Sequence, residues 1–130
     1  MRRNLQDAPL TPAELELMDI LWKTGPATVQ MVLDRLPLDR CLAYTTVQTV
    51  LGVLHRKRKV ARTYKNRAYH YDPAVSRAAV ANMAVGDLLK RLFGGEPERL
   101  VMSMIETKQL TPAKIADLQR LLDDALKSAR

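Results

Sequence analysis

The chain has 130 residues, 47% of them hydrophobic, which is enough for one ordinary domain or for a small domain with a helical appendage, and excludes two large domains. The formal net charge is +7, which favours a polyanionic partner. A single cysteine, Cys41, excludes an intrachain disulfide and a thiolate cluster that could bind zinc or copper.

The apolar runs are short and interrupted, so no segment is expected to enter a membrane. Residues 1–17 lack the apolar core of a secretory signal, which predicts a cytoplasmic protein. Cys41 is expected to be an ordinary buried or half-buried residue, because free cysteine usually behaves as a small hydrophobe.

The first predicted helix begins at Thr11, with Pro12 in its first position. Glu14 follows three residues after Thr11, which is the spacing of a capping box. Gly25-Pro26 ends the helix. The predicted apolar face consists of Leu15, Met18, Leu21 and Trp22.

Two more helices are predicted before residue 57. The second has Thr28 as its cap and ends before Pro37. The third begins near Ala43 and is amphipathic. Its apolar stripe at helical spacing consists of Val47, Val50, Leu51 and Leu54.

After the third helix the apolar period changes from that of a helix to that of a strand. Residues 60–64 and 68–71 alternate, and Lys65-Asn66-Arg67 between them is a plausible turn. Three helices followed by a basic hairpin predict a winged helix-turn-helix domain over residues 1–73. The predicted fold class is therefore mainly α with a small β-hairpin.

Residues 74–130 are predicted to form a three-helix domain. Gly94-Gly95 ends the first of these helices, Glu96-Pro97 opens the second and Thr111-Pro112 opens the third. Three thin helices bury little surface alone. We therefore expect a homodimer through this domain, rather than packing onto its own N-terminal domain only. The residues predicted to form the dimer are Leu88, Leu92, Leu100, Met104, Leu118 and Leu122.

No acidic residue occurs between Asp39 and Asp72. A solvated face normally intersperses both signs of charge, whereas a face that binds phosphates excludes carboxylates because they repel the ligand. The basic residues in this span are Arg40, Arg56, Lys57, Arg58, Lys59, Arg62, Lys65 and Arg67.

The side of the third helix opposite its apolar stripe carries mostly small polar residues. Such a helix can enter the major groove closely, where glutamine can pair with an adenine edge and a threonine methyl can contact a thymine methyl. The residues predicted to contact DNA from this helix are Tyr44, Thr45, Thr46, Gln48, Thr49, Arg56 and Lys57, and those from the hairpin are Arg62, Lys65 and Arg67. The basic residues are assigned to phosphates, which position the protein without reading sequence.

Purely structural explanations of these residues remain open. Threonine and glutamine can simply fill a solvent face, and the basic run at 55–59 can favour the helix dipole. Tyr64, Tyr69 and Tyr71 can stack on bases, but most of them are expected to pack on the helices or cover the sheet. The two histidines have no carboxylate or cysteine cluster nearby in sequence, so no metal, cofactor or catalytic site is predicted.

The segments LTPAELELMDILWKTGPATVQMVLDRL (10–36), AYTTVQTVLGVLHRKRKV (43–60) and RAYHYDP (67–73) together resemble the penicillinase-repressor family. The similarity covers about residues 9–126. It implies a dimeric winged-helix repressor that binds near-palindromic operators in double-stranded DNA. Thr46 and Thr49 match the family's recognition-helix threonines, and Gln48 occupies the variable position that helps to set base preference.

The chain departs from the family pattern at two positions of this region. The family usually has Arg where this chain has Val53, and Gly where it has Arg58. In antibiotic-responsive members a membrane sensor's signal leads to cleavage in the C-terminal helices, and the matching bond here is Ser103-Met104, where those members have Asn followed by Phe. The copper-binding cysteine-rich tail of another branch has no counterpart.

The leading hypothesis is therefore a sequence-specific repressor. The alternatives are a protein-interaction adaptor that uses the same basic face, and a non-specific nucleoid-type DNA-binding protein. An enzyme is disfavoured, because no nucleophile–base pair, paired carboxylates or phosphate-binding glycine loop is evident.

Overall fold

The computed structural model describes residues 9–129, which divide into two compact units, one extending to Ala84 and the other beginning at Val85. The predicted fold class is confirmed. The elements are α1 Pro12–Thr24, α2 Val29–Arg35, α3 Tyr44–Arg56, β1 Val60–Lys65, β2 Ala68–Pro73, α4 Arg77–Leu92, α5 Pro97–Glu106 and α6 Pro112–Ser128.

The predicted capping box at the start of α1 is present. The Thr11 hydroxyl accepts a hydrogen bond from the Glu14 backbone N–H at 3.2 Å, and the Glu14 carboxylate accepts one from the Thr11 N–H at 3.1 Å. Gly25 follows the helix with φ of 79°, a conformation that glycine adopts without cost. Both ends of α1 are therefore fixed by local sequence.

The core of the first unit lies where α1, α2 and α3 meet the hairpin. On α1 its buried stripe is Leu17, Met18 and Leu21, so the prediction that Leu15 belongs to the core is wrong. Leu15 is 40% exposed, because the buried stripe runs along one side of α1 and Leu15 lies outside it. The remaining buried apolar residues of this core are Ala27, Val29, Val32, Leu36, Val47, Leu51, Leu54, Val60 and Tyr71.

β1 and β2 pair antiparallel, with Lys65 opposite Ala68, so the loop has only two residues. Both loop residues, Asn66 and Arg67, have positive φ (53° and 65°), as a type I′ turn requires. Ala27 adds a short bridge to the outer side of β2, exchanging backbone hydrogen bonds of 3.0 and 2.8 Å with Tyr71. The hairpin, residues 60–73, is called the wing below.

The segment after the wing is tied to α1 within the first unit. The Trp22 indole N–H donates to the Val75 carbonyl at 2.9 Å. Arg77 forms an ion pair with Asp19 at 2.6 Å, and its guanidinium lies over the Trp22 ring at 4.7 Å. The boundary between the two compact units accordingly lies after Ala84, inside α4. The boundary suggested by the sequence was at residue 73.

None of the residues of α4, α5 and α6 is buried. Gly94 and Gly95 follow α4 with positive φ, and Thr111 caps α6 through the Lys114 N–H. None of the described helices has both the length and the apolar character needed to cross a bilayer. The three helices are thus well delimited without forming a core.

Candidate nucleic-acid interface

α3 has two chemically distinct sides. Val47, Leu51 and Leu54 are fully buried, while the opposite side is open to solvent. At Gly52 an added Cβ would meet no atom within 4 Å, so this side is also unobstructed at its middle. The predicted groove-facing residues Tyr44, Thr45, Thr46, Gln48 and Thr49 are all exposed.

The two basic residues at the end of α3 differ. Arg56 is exposed, as a phosphate contact requires. Lys57 is only 8% exposed, and its ammonium donates to both carboxylate oxygens of Glu14 at 2.7 and 2.8 Å. The prediction that Lys57 contacts DNA is therefore not supported, because its charge is already paired inside the domain.

Glu14 joins the N-terminal cap of α1 to the C-terminal end of α3. Burial by itself raises the pKa of the Glu14 carboxyl, but the hydrogen bonds from Lys57 and Thr11 and the positive charge of Lys57 together hold that pKa below its ordinary value of 4.5. Glu14 is thus ionised at neutral pH although it is only 3% exposed. The sequence showed its capping role but not its partner 43 residues away.

The wing presents its predicted cations to solvent. Arg62, Lys65 and Arg67 are all exposed, with Arg67 in the turn itself. The guanidinium of Arg62 lies over the Tyr69 ring, 4.2 Å from its centroid. The wing therefore carries three positive side chains, one of which is held against an aromatic face.

The three tyrosines of the wing share one face but differ in burial. Tyr71 is in the core, as expected for a packing residue. Tyr64 and Tyr69 are largely exposed and contact each other edge to face, with centroids 5.2 Å apart. Sequence alternation placed them on one face, but it did not indicate which rings remain accessible.

Cys41 is exposed, so the expectation of a buried or half-buried thiol is wrong. It lies in the loop between α2 and α3, outside the packed stripe of either helix. In residues 9–129, no three side chains of His, Cys, Asp or Glu converge in a group that could hold a metal ion.

The residues predicted to form a dimer lie on α4, α5 and α6. Leu88, Leu92, Leu118 and Leu122 are exposed, and Leu100 and Met104 are half-buried. The predicted cleavage bond, Ser103-Met104, lies inside α5, where the Ser103 carbonyl accepts hydrogen bonds from the N–H and hydroxyl of Thr107 at 3.0 and 2.8 Å.

Residues 10–124 match the family model described as Penicillinase repressor. The chain belongs to the penicillinase repressor family. The penicillinase repressor of Bacillus licheniformis and this chain are 24% identical over 115 residues, which cover 88% of this chain and 90% of the relative. The transcriptional regulator BlaI of Mycobacterium tuberculosis is 37% identical over 95 residues, which cover 72% of this chain and 69% of the relative.

Among solved structures, the DNA-binding domain of the repressor BlaI matches at 26% identity with a TM-score of 0.49, covering 60% of this chain and 92% of that domain. The penicillinase repressor family consists of DNA-binding transcriptional repressors, which are not enzymes. The match of residues 10–124 to the family model confirms the family that the sequence resembles over about residues 9–126.

Proposed function

We propose that this member of the penicillinase repressor family is a cytoplasmic homodimer that represses transcription by binding near-palindromic operators. The observation that carries the proposal is the exposed side of α3, which has no acidic residue and lies beside a cationic wing. Such a surface suits a helix in the major groove flanked by phosphate contacts.

On this proposal the two kinds of contact come from different elements. Gln48 and Thr49 read base edges from the exposed side of α3, and Tyr44, Thr45 and Thr46 contribute to the same face. Arg56, Arg62, Lys65 and Arg67 neutralise phosphates, which gives affinity and register without sequence information.

The dimer is proposed from the state of the C-terminal helices. Leu92, Leu122 and Leu126 are each more than 60% exposed, and neither α4, α5 nor α6 buries a single residue. Helices of this kind are stable in water only when their apolar faces are covered. A second copy covers them symmetrically and sets two α3 helices about one helical turn of DNA apart.

Relief of repression is proposed to follow cleavage of the Ser103-Met104 bond, triggered by a membrane sensor and its protease pathway. Proteases bind extended substrates, and the Ser103 carbonyl is bonded within α5, so α5 must first unwind locally. The test is mass spectrometry after incubation with a cognate sensor. An intact chain under inducing conditions contradicts this part of the proposal only.

Sequence-specific binding is tested by fluorescence anisotropy. One duplex carries the DNA upstream of the protein's own gene, and the other is a scrambled duplex of equal composition, each at several salt concentrations. A specific repressor binds the first about a thousandfold more tightly or better, with log affinity falling linearly in log salt. Equal weak binding to both, and to genomic DNA fragments in a pull-down, favours the nucleoid-type or adaptor function.

The reading face is tested with Gln48→Ala and Thr49→Ala. These changes should remove most discrimination between the two duplexes but leave the salt-dependent affinity, because no phosphate contact is lost. Gln119→Ala, at an exposed position of α6, is the matched control and should change neither. Unchanged discrimination in the α3 variants contradicts the assignment of α3 as the recognition helix.

A further inference from the structure

A concave surface separates α3 from the wing and has a volume of about 240 Å³. We call it the helix–wing cleft. Its lining includes the first turn of α2, from Thr28 to Gln30. Its sides are formed mainly by Tyr44 and Gln48 of α3 and by Tyr64, Arg67 and Tyr69 of the wing.

The lining of the helix–wing cleft includes three accessible phenol side chains. Tyr44, Tyr64 and Tyr69 are 46%, 65% and 42% exposed. The cleft has no carboxylate, and its one charged side chain is Arg67. A tyrosine combines an apolar ring with a hydroxyl donor, so such a cleft suits a partner that alternates apolar and anionic groups.

The placement of α3 in the proposed complex indicates which partner fits the cleft. A helix in the major groove, which is about 12 Å wide, is bordered on each side by a sugar–phosphate backbone. The wing lies beside α3 across the cleft, so the backbone on that side must pass between them. Deoxyribose and phosphate alternate along that backbone, which matches the chemistry of the lining.

We infer that the helix–wing cleft holds the backbone of one DNA strand, and that Tyr64 and Tyr69 donate hydrogen bonds to its phosphate oxygens. The inference rests on the proposed function and adds two neutral contacts to the cationic ones already proposed. Tyr69 has a second role as a positioning residue, because its ring holds the guanidinium of Arg62 at 4.2 Å.

The neutrality of these donors gives the inference a distinctive signature. Affinity depends on salt through the cations that displace condensed counterions, with a slope of about −0.9 per phosphate neutralised. Removing a tyrosine hydroxyl removes a hydrogen bond but no charge. It should therefore weaken binding without changing the salt slope, and should do so equally on any sequence.

The experiment compares Tyr64→Phe, Tyr69→Phe and Arg67→Gln in the full chain, using the upstream and scrambled duplexes at several salt concentrations. Each Phe variant should bind both duplexes about three- to tenfold more weakly per protomer with an unchanged salt slope, the loss expected for one neutral hydrogen bond in each protomer. Arg67→Gln should reduce the slope by about 0.9 per protomer. Since Tyr64 and Tyr69 are exposed, folding is expected to be unaffected, and Trp22 fluorescence checks this.

Adding Tyr69→Leu separates the two roles of Tyr69. Phenylalanine keeps the ring under Arg62, whereas leucine removes it. Tyr69→Leu should therefore lose more affinity than Tyr69→Phe and should also change the salt slope. Equal effects of the two substitutions contradict the positioning role.

Each other result is equally decisive. Unchanged affinity in both Phe variants, with normal operator binding by the wild type, overturns the cleft assignment but not the repressor. Loss confined to the upstream duplex also overturns it, because the tyrosines then read bases. If the wild type itself binds neither duplex, the proposed function fails first, and the inference fails with it.

Discussion

Replacing Lys57 by Met isolates the role of the buried ion pair between α1 and α3. Methionine keeps most of the apolar length of lysine but removes the ammonium that donates to Glu14 at 2.7 and 2.8 Å. The Glu14 carboxylate then stays 3% exposed without its charged partner. The substitution therefore converts a paired buried charge into an unpaired one.

The expected cost follows from that change. Breaking a buried pair by removing one partner typically lowers the free energy of unfolding by about 3–5 kcal/mol. Glu14 keeps the hydrogen bond from the Thr11 N–H at 3.1 Å, so we expect the lower end, about 3 kcal/mol. In the double variant Glu14→Gln/Lys57→Met no buried charge remains, and Gln can still complete the capping box. We expect the double variant to recover about 1–2 kcal/mol of the loss.

The sign of the pH dependence is also fixed. In the wild type the pKa of Glu14 lies below 4.5, so the pair contributes stability above that value and loses it as the pH falls through the lowered pKa. In Lys57→Met the contributions of Lys57 disappear and burial raises the pKa of Glu14 instead. The deficit of this variant relative to Glu14→Gln/Lys57→Met should therefore be largest at pH 7 and shrink as the pH is lowered.

The assay is urea unfolding monitored by Trp22, the only tryptophan, which lies in the first unit. Arg40→Met is the matched control, because the Arg40–Glu16 pair joins the same helix to a distant residue, but its side chains are 45% and 26% exposed. We expect that control to cost less than about 1 kcal/mol. If Lys57→Met costs no more than Arg40→Met, or if its deficit does not change with pH, the pair is not buried as described and the reasoning is refuted.

Three other substitutions are tested by measurements of stability, DNA binding or dimerisation. Arg67→Gly should raise the free energy of unfolding by about 0.5–1 kcal/mol, because glycine adopts positive φ without strain, while weakening DNA binding; a parallel change of both properties would contradict this. Arg58→Gly should stabilise the first unit by a similar amount of about 0.5–1 kcal/mol in urea unfolding, since Arg58 has φ of 61°, and a loss of stability would contradict it. Leu122→Asp should raise the dimer dissociation constant at least about a hundredfold in sedimentation, whereas Ala116→Asp, on the charged side of α6 with Arg120 and Asp123, should leave it unchanged. Equal effects would contradict the proposed interface.

The local signals in the sequence were sufficient to predict the elements. The starts of α1, α2 and α6 follow from nearby residues, because Thr11, Thr28 and Thr111 cap them with their side chains. The ends of α1 and α4 follow in the same way from Gly25 and from Gly94-Gly95, which have positive φ. The two-residue wing turn follows in the same way from Asn66. Caps and turns of this kind can be predicted because the side chain and the backbone group that it bonds are close together in the sequence.

The parts that could not be predicted all depend on distant contacts. In the sequence Lys57 has the charge and the position expected of a phosphate contact. In the structure its ammonium is paired with Glu14, 43 residues earlier, and it is therefore not part of the candidate interface. The bridge of Ala27 to Tyr71 is equally invisible in the local pattern. Exposed cations and paired cations look alike in a sequence, because pairing is a property of the packed structure.

Arg58 stands where the resemblance to the family predicts glycine, and it adopts the positive φ of 61° that glycine favours. Many helices end with one residue in the left-handed conformation, and glycine is usual there because it has no Cβ. Arg58 adopts that conformation nevertheless, and both hydrogen bonds of the Schellman motif are formed, from the Arg58 N–H to His55 O at 3.0 Å and from the Lys59 N–H to Leu54 O at 2.9 Å. The end of α3 and the start of β1 therefore follow from the core packing of Leu54 and Val60, which outweighs the steric cost of one side chain. Arg58 thus places a positive side chain between α3 and the wing, in the short connection from Arg56 to Val60.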